Sequence, residues 1–364
     1  MQTGSYGMWG AEHLLPAERH KKLLTLAALG LLSLATAAYI LPTLLVGSGT
    51  TGVKVSRLVY PASLVQSIDK PVDENWTIPA DAVAVGDATF VLDTGNNRIV
   101  KLSPDGHVLA TYGPHLGTET ALQMPMAIAS DGRSLFVANS LAGGVLVLDL
   151  SGQVQQVLPL PAGVSGKAAR PIGVAVLQGG GLVVSDADND RVFRLDVQGN
   201  VLWIAGTGTR AGNEEGFNVP GALAVDAAGD VFVADTLNAR VVELSPGGAF
   251  LRQFGRRGDT AGLLSRPKGV AVDGAGRVFV SDGLLAAVEV FAPDGTYLGL
   301  IGRRDARDIK SISLFTAPAG LSITRGSLLV TDRYAGILSF DLSGARHTSA
   351  GGRQPSPADP AATN

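Results

Sequence analysis

Residues 267–300 read PKGVAVDGAGRVFVSDGLLAAVEVFAPDGTYLGL, and the punctuation of this stretch decides the fold. Pro267 opens an apolar run that ends at Val272-Asp273, and Val278-Phe279-Val280 leads into Ser281-Asp282. A third run through Val288 and Val290 reaches the turn Ala292-Pro293-Asp294-Gly295, and Tyr297-Leu298 begins a fourth. Short runs rich in Val and Phe, bounded by Gly, Asp and Pro, are strand signals. A proline does little harm at the first residue of a strand, where its missing N–H breaks no ladder. In the Ala-Pro-Asp-Gly turn, proline presets φ and glycine accepts a positive one. The stretch therefore predicts four short strands in a meander.

The same unit recurs on both sides. FVLDTGNNRIVKLSPDGHVL, FVANSLAGGVLVLDLSGQV, LVVSDADNDRVFRLDVQGNVL, VFVADTLNARVVELSPGGAFL and LLVTDRYAGILSFDLSGA repeat it. The residues closing the second strands are Asp93, Asn139, Asp186, Asp235, Asp282 and Asp332, at intervals of 46, 47, 49, 47 and 50 residues. Proline-led runs precede them at Pro79 to Val85, Pro125 to Ala129, Pro171 to Val176, Pro220 to Val225, Pro267 to Val272 and Pro318 to Ile323. Four strands in each of six such periods is the arithmetic of a propeller.

Two motifs carry a family resemblance. P-x-G-V-A-V-D is complete at residues 267–273, and D-x-x-N-x-R occurs as Asp93/Asn96/Arg98, Asp186/Asn189/Arg191 and Asp235/Asn238/Arg240. Together they resemble the NHL-repeat family of six-bladed β-propellers over residues 53–344, although repeats two, five and six lack the Asn and Arg. The expected fold class is all-β: a six-bladed β-propeller of NHL-type repeats preceded by one N-terminal transmembrane helix. Propellers host many functions, so activity has to be argued from sites.

The 364-residue chain is 46% hydrophobic and 17% charged, enough to bury a large core. It has no cysteine, which excludes disulfides, thiolate metal sites and thiol nucleophiles. A net charge of −3 is too balanced for a nucleic-acid coat, and no nucleic-acid partner is expected. Leu23 to Val46 runs 24 residues without a charge, long enough as a helix to cross a bilayer. Arg19, Lys21 and Lys22 stand before it, so the positive-inside rule keeps the amino terminus cytoplasmic and the propeller extracytoplasmic. The alternative is secretion after cleavage at Ala35-Thr36-Ala37, an A-x-A site. The expected organisation is a cytoplasmic segment 1–22, a signal anchor 23–46, a linker 47–52, the propeller 53–344 and a disordered tail 345–364.

Blade six runs out of strands at Leu342, while Val53 to Tyr60 has the character of an outer strand. Residues 53–60 are therefore expected to complete the last blade, closing the ring and removing its loose edge. In a meander the second-to-third loop and the blade-to-blade loop share one face, the top. An outer strand that feeds a blade-to-blade loop starts on the other face, so the tether enters from below and the top looks away from the membrane.

The repeated aspartates read as turn formers, because a symmetric ring of copies is a poor design for one active site. Asp186-Ala187-Asp188-Asn189-Asp190 imitates half a calcium loop, but Arg191 stands where glycine is needed and Val197 where glutamate is. None of His13, His20, His107, His115 and His347 lies on an inner strand, and the inner strands are apolar apart from Asp81, Asp226 and Asp273. No cofactor and no metal site is expected. The uneven feature is charge on the top loops: Arg256, Arg257, Arg266 and Lys268 before blade five, and Arg303 and Arg304 before blade six, against Glu214 and Glu215 before blade four. These six basic residues form the candidate site for a protein or anionic ligand. The reading is a membrane-anchored extracytoplasmic binding scaffold. Two alternatives stay open: a metal-dependent lyase or hydrolase using the central channel, which six-bladed relatives suggest, and the sensor subunit of a signalling complex.

Overall fold

In the computed structural model the six proline-led runs are the inner strands of six four-stranded antiparallel sheets, the blades of a propeller. They are Pro79–Val85, Pro125–Ser130, Pro171–Val176, Pro220–Val225, Pro267–Val272 and Pro318–Thr324. The structure describes residues 60, 62–68, 76–113, 121–260, 262–302 and 313–343. The chain divides into units Met1–Lys54 and Val55–Asn364, and every described residue belongs to the second. Among the described residues no helix is long and apolar enough to cross a membrane. The expected segments 1–22, 23–46, 47–52 and 345–364 lie outside them, as do Arg303 and Arg304.

In every blade the leading proline pairs with the residue that closes the second strand, from Pro79 with Asp93 to Pro318 with Asp332. The register then shifts by a bulge, which bends the inner strand toward the axis. Third strands such as Arg240–Leu244 are buried throughout, because both sheet faces meet neighbouring blades. Outer strands such as Phe250–Phe254 alternate exposed and half-buried residues, as an edge strand with one wet face should.

The core consists of six clusters, one between each pair of blades. The smallest is the seam between blades six and one, where Trp76, Ala82, Val91, Val100, Leu102 and Ile337 are buried. The ring closes here with an amino-terminal strand, but that strand is Ser63–Ile68 rather than residues 53–60. It pairs antiparallel with Gly336–Asp341, from Ser63 opposite Asp341 to Ile68 opposite Ile337. Residues 53–59 lie outside the described residues. Tyr60 is an anchor ahead of the strand. Its N–H donates to the Leu300 carbonyl at 2.8 Å, its ring meets Phe279 edge-on and its hydroxyl accepts from Arg277.

The aspartates at the ends of the second strands are fully buried and structural. Each accepts a backbone N–H from the loop that enters its own blade: Thr77 to Asp93, Arg170 to Asp186, Asn218 to Asp235, Arg266 to Asp282 and Ala317 to Asp332. Asn139 takes the N–H of Gln123 in the same way. The D-x-x-N-x-R residues complete this tie. In blade four Asn238 and the Arg240 Nε both donate to the second oxygen of Asp235, at 2.7 and 2.8 Å. The remaining Arg240 nitrogens donate to the carbonyls of Gly212, Asn213 and Gly216, pinning the loop above. Blades five and six lack that Arg, and their aspartates instead take N–H bonds two and three residues ahead, from Leu284 and Leu285 and from Tyr334 and Ala335.

Candidate functional site

The channel along the propeller axis is a cavity of about 480 Å³ lined by the inner strands of all six blades. Its top is set by three positions of the repeat. The residue before the leading proline is Ile78, Met124, Arg170, Val219, Arg266 or Ala317; the residue after it is Ala80, Met126, Ile172, Gly221, Lys268 or Ala319. The residue after the buried aspartate or asparagine is Thr94, Ser140, Ala187, Thr236, Gly283 or Arg333. Blades five and six thus place Arg266, Lys268 and Arg333 at one side of the mouth, where the other blades put small or apolar groups apart from Arg170.

Arg170 shows what these cations lack. Its guanidinium Nε donates to Asp188 at 2.5 Å, and Lys167 reaches the same carboxylate at 3.2 Å. Burial works against the Asp188 charge, but the two cations overcome it and hold its carboxyl below the usual aspartate value. In blade five the place of Asp188 is taken by Leu284, so Arg266 has no such partner. Its Nε is buried without an acceptor among the described residues. Lys268 keeps accessible surface because it faces the channel, yet protein surrounds it. Burial first, then repulsion from Arg266 and Arg333, pushes its ammonium pKa down to about 8.

The other basic residues named from the sequence occupy the loop between blades four and five. Arg256 and Arg257 are both exposed, and Arg257 donates to the Leu237 carbonyl at 2.6 Å on the rim of the mouth. Arg252, near them in sequence, is on the outer strand of blade four and pairs with Glu243 at 2.6 Å, so it does not belong to the basic face. The structure therefore brings Arg266 and Lys268 together, adds Arg333, and places Arg257 at the rim.

Sequence reasoning missed Arg333 and also missed an apolar rim. Two residues past each buried aspartate or asparagine, at the tips of the top loops, stand Leu141, Leu237, Leu284 and Tyr334, exposed by 64, 36, 63 and 62%. Aligning the repeats on those residues would have found it. Blades one and three have Gly95 and Asp188 there. Four large apolar tips thus share one face with the cationic mouth.

Of the three aspartates named on the inner runs, Asp226 and Asp273 shape bottom turns, accepting the N–H groups of Ala228 and Asp230 and of Ala275 and Arg277, and Asp273 also pairs with the Arg277 side chain. Asp81 instead lines the channel just below the mouth. It accepts N–H bonds from Ala82 at 2.9 Å and, across the blade boundary, from Ile128 at 3.0 Å. Gly320 leaves it room, for a Cβ there would collide with the carboxylate. Burial outweighs both hydrogen bonds and pushes the Asp81 pKa up to about 7. Among the described residues no group of three His, Asp or Glu side chains is placed to hold a metal ion.

No protein-family model matches the sequence, and no curated protein does. Solved structures match the fold. A virginiamycin B lyase from Staphylococcus aureus superposes with a TM-score of 0.56 at 13% identity, over 76% of this chain and 98% of its own. A gluconolactonase from Xanthomonas campestris gives 0.55 at 15% identity, over 80% and 98%, and a putative gluconolactonase 0.56 at 17%, over 79% and 94%. At such identities the likeness shows a six-bladed β-propeller.

Proposed function

We propose that the chain is a membrane-anchored, extracytoplasmic propeller of NHL-repeat type that binds an acidic protein partner on its top face. The observation that carries this reading is the register of the exposed tips Leu141, Leu237, Leu284 and Tyr334 around Arg266, Lys268 and Arg333, which pair with no acid among the described residues. Apolar tips give the affinity of a protein contact, and the basic sector gives orientation and encounter rate. The uncharged segment 23–46 and the basic residues before it support the anchor and the outward-facing propeller.

Reversing Arg256, Arg257 and Arg303 to Glu tests the reading. Partner association should slow and lose its salt sensitivity, because exposed charges steer encounters within a Debye length of about 8–10 Å. The thermal midpoint should stay near wild type, since exposed charges contribute only about 0–1 kcal/mol per pair. Capture of every wild-type partner by the triple variant, unaltered at low and physiological salt, would return these residues to ordinary surface charge.

A further inference from the structure

The channel changes character along its axis. At the top it presents Arg266, Lys268 and Arg333, none of which pairs with a carboxylate among the described residues. Asp282, whose charge acts on Lys268, has its oxygens occupied by the N–H groups of Ser265, Arg266, Leu284 and Leu285. Below the mouth the wall is aliphatic apart from the Asp81 carboxylate of blade one, with Ile128, Val174, Leu223, Val270 and Leu321 at one level of blades two to six. A cavity of about 480 Å³ with an apolar wall and a few polar groups at one end has the proportions of a small-molecule site.

Two properties of the ligand follow. The cationic end formed by Arg266, Lys268 and Arg333 needs an anion, and a carboxylate accepts from such groups with strong charge-assisted bonds. The aliphatic wall needs an apolar body, which excludes phosphate or sulfate as the whole ligand. We propose that the channel binds a medium-chain aliphatic monocarboxylate, its head held by Arg266, Lys268 and Arg333 and its chain lying between Ile128, Val174, Leu223 and Leu321. This site is the channel interior; it shares Arg266, Lys268 and Arg333 with the proposed docking face, but titration with small probes reads it with no protein partner present.

The repeat supplies mild variants. Met126 occupies the Lys268 position in blade two, and Thr94 and Thr236 occupy the Arg333 position, so Lys268→Met and Arg333→Thr borrow side chains the fold already carries. Ile172 is the blade-three counterpart of Lys268 and lines the cavity, so Ile172→Trp plugs it. The measurement is isothermal titration of the full-length chain in mild detergent with hexanoate, acetate, 1-hexanol and hexylammonium. Hexanoate should bind saturably and at least tenfold more tightly than the other three. The Lys268→Met/Arg333→Thr variant should lose at least tenfold in hexanoate affinity with its ligand-free melting unchanged, and Ile172→Trp should abolish saturable binding. Affinity should rise from pH 9 to pH 6, because Lys268 gains charge and Asp81 loses it over that range. Absence of saturable hexanoate binding overturns the proposal. So does acetate or hexanol matching hexanoate, or binding that survives Ile172→Trp. Should either variant melt early, the probe ranking and the pH trend on the wild-type chain still decide.

Discussion

Where five blades place Ala127, Gly173, Ala222, Gly269 and Gly320, blade one places Asp81. A carboxylate at that crowded position ties blade one to blade two through the Ile128 N–H, but its charge is poorly solvated, which is why its pKa rises to about 7. The folded protein therefore holds this proton up to about pH 7, whereas the unfolded chain releases it near 3.8, the ordinary aspartate value. Between those values the folded state binds more protons, so the Asp81 contribution to stability falls as pH rises. At about 1.4 kcal/mol per pH unit the whole effect is roughly 4 kcal/mol. Asp81→Asn cannot ionise. Relative to wild type it should gain stability from pH 5 to about pH 7 and level off above that, as followed by denaturant melts. A difference that stays constant over that range would mean that Asp81 does not titrate between the folded and unfolded states.

Among the elements, the closing strand Ser63–Ile68 carries the most consequence for its size. It supplies the fourth strand of blade six, and Ile68 packs into the smallest of the six seams. Ahead of it, Tyr60 anchors to blade five. Burial of residues like Tyr60 and Ile68 stabilises by roughly 1.5–3 kcal/mol each. A chain shortened to begin at residue 70 should therefore unfold roughly 4 kcal/mol more easily than one beginning at residue 55, and one beginning at residue 62 should fall between them. Equal urea midpoints would show that the ring closes without this strand. The position of the strand was also the least legible element. The six prolines and their partner aspartates are fixed by turn chemistry, so they could be read directly. Residues 53–60 and 63–68 both look like outer strands, because an edge strand with a wet face tolerates Ser63, Gln66 and Ser67 and shows only a weak alternation. The binding face was legible to the same degree. Arg266 and Lys268 flank a proline and stood out, whereas Arg333 and the four apolar tips acquire meaning only when the ring sets neighbouring blades side by side.

At the scale of the molecule, the six blades are alike in their ties and unlike in what they expose on top. Blade three neutralises its Arg170 with Asp188, while blades five and six leave Arg266, Lys268 and Arg333 without a paired acid among the described residues and raise Leu284 and Tyr334 on the same face. Glu214 and Glu215 lie in the loop before blade four, so the top is electrically polarised from one sector to another. Under the proposed function that polarity orients an acidic partner before contact, and the apolar tips hold it afterwards. The most direct test is site-specific photocrosslinking in intact cells, with the photoreactive residue placed in turn at Leu284 and Tyr334 on the top loops, at Val197 on a bottom turn and at Leu109 on an outer strand, all of them exposed. The account predicts a discrete protein adduct from Leu284 and Tyr334, lost when Arg256 and Arg257 are reversed to Glu, and none from Val197 or Leu109. Adducts of equal yield from all four positions, or from Val197 and Leu109 alone, would contradict it.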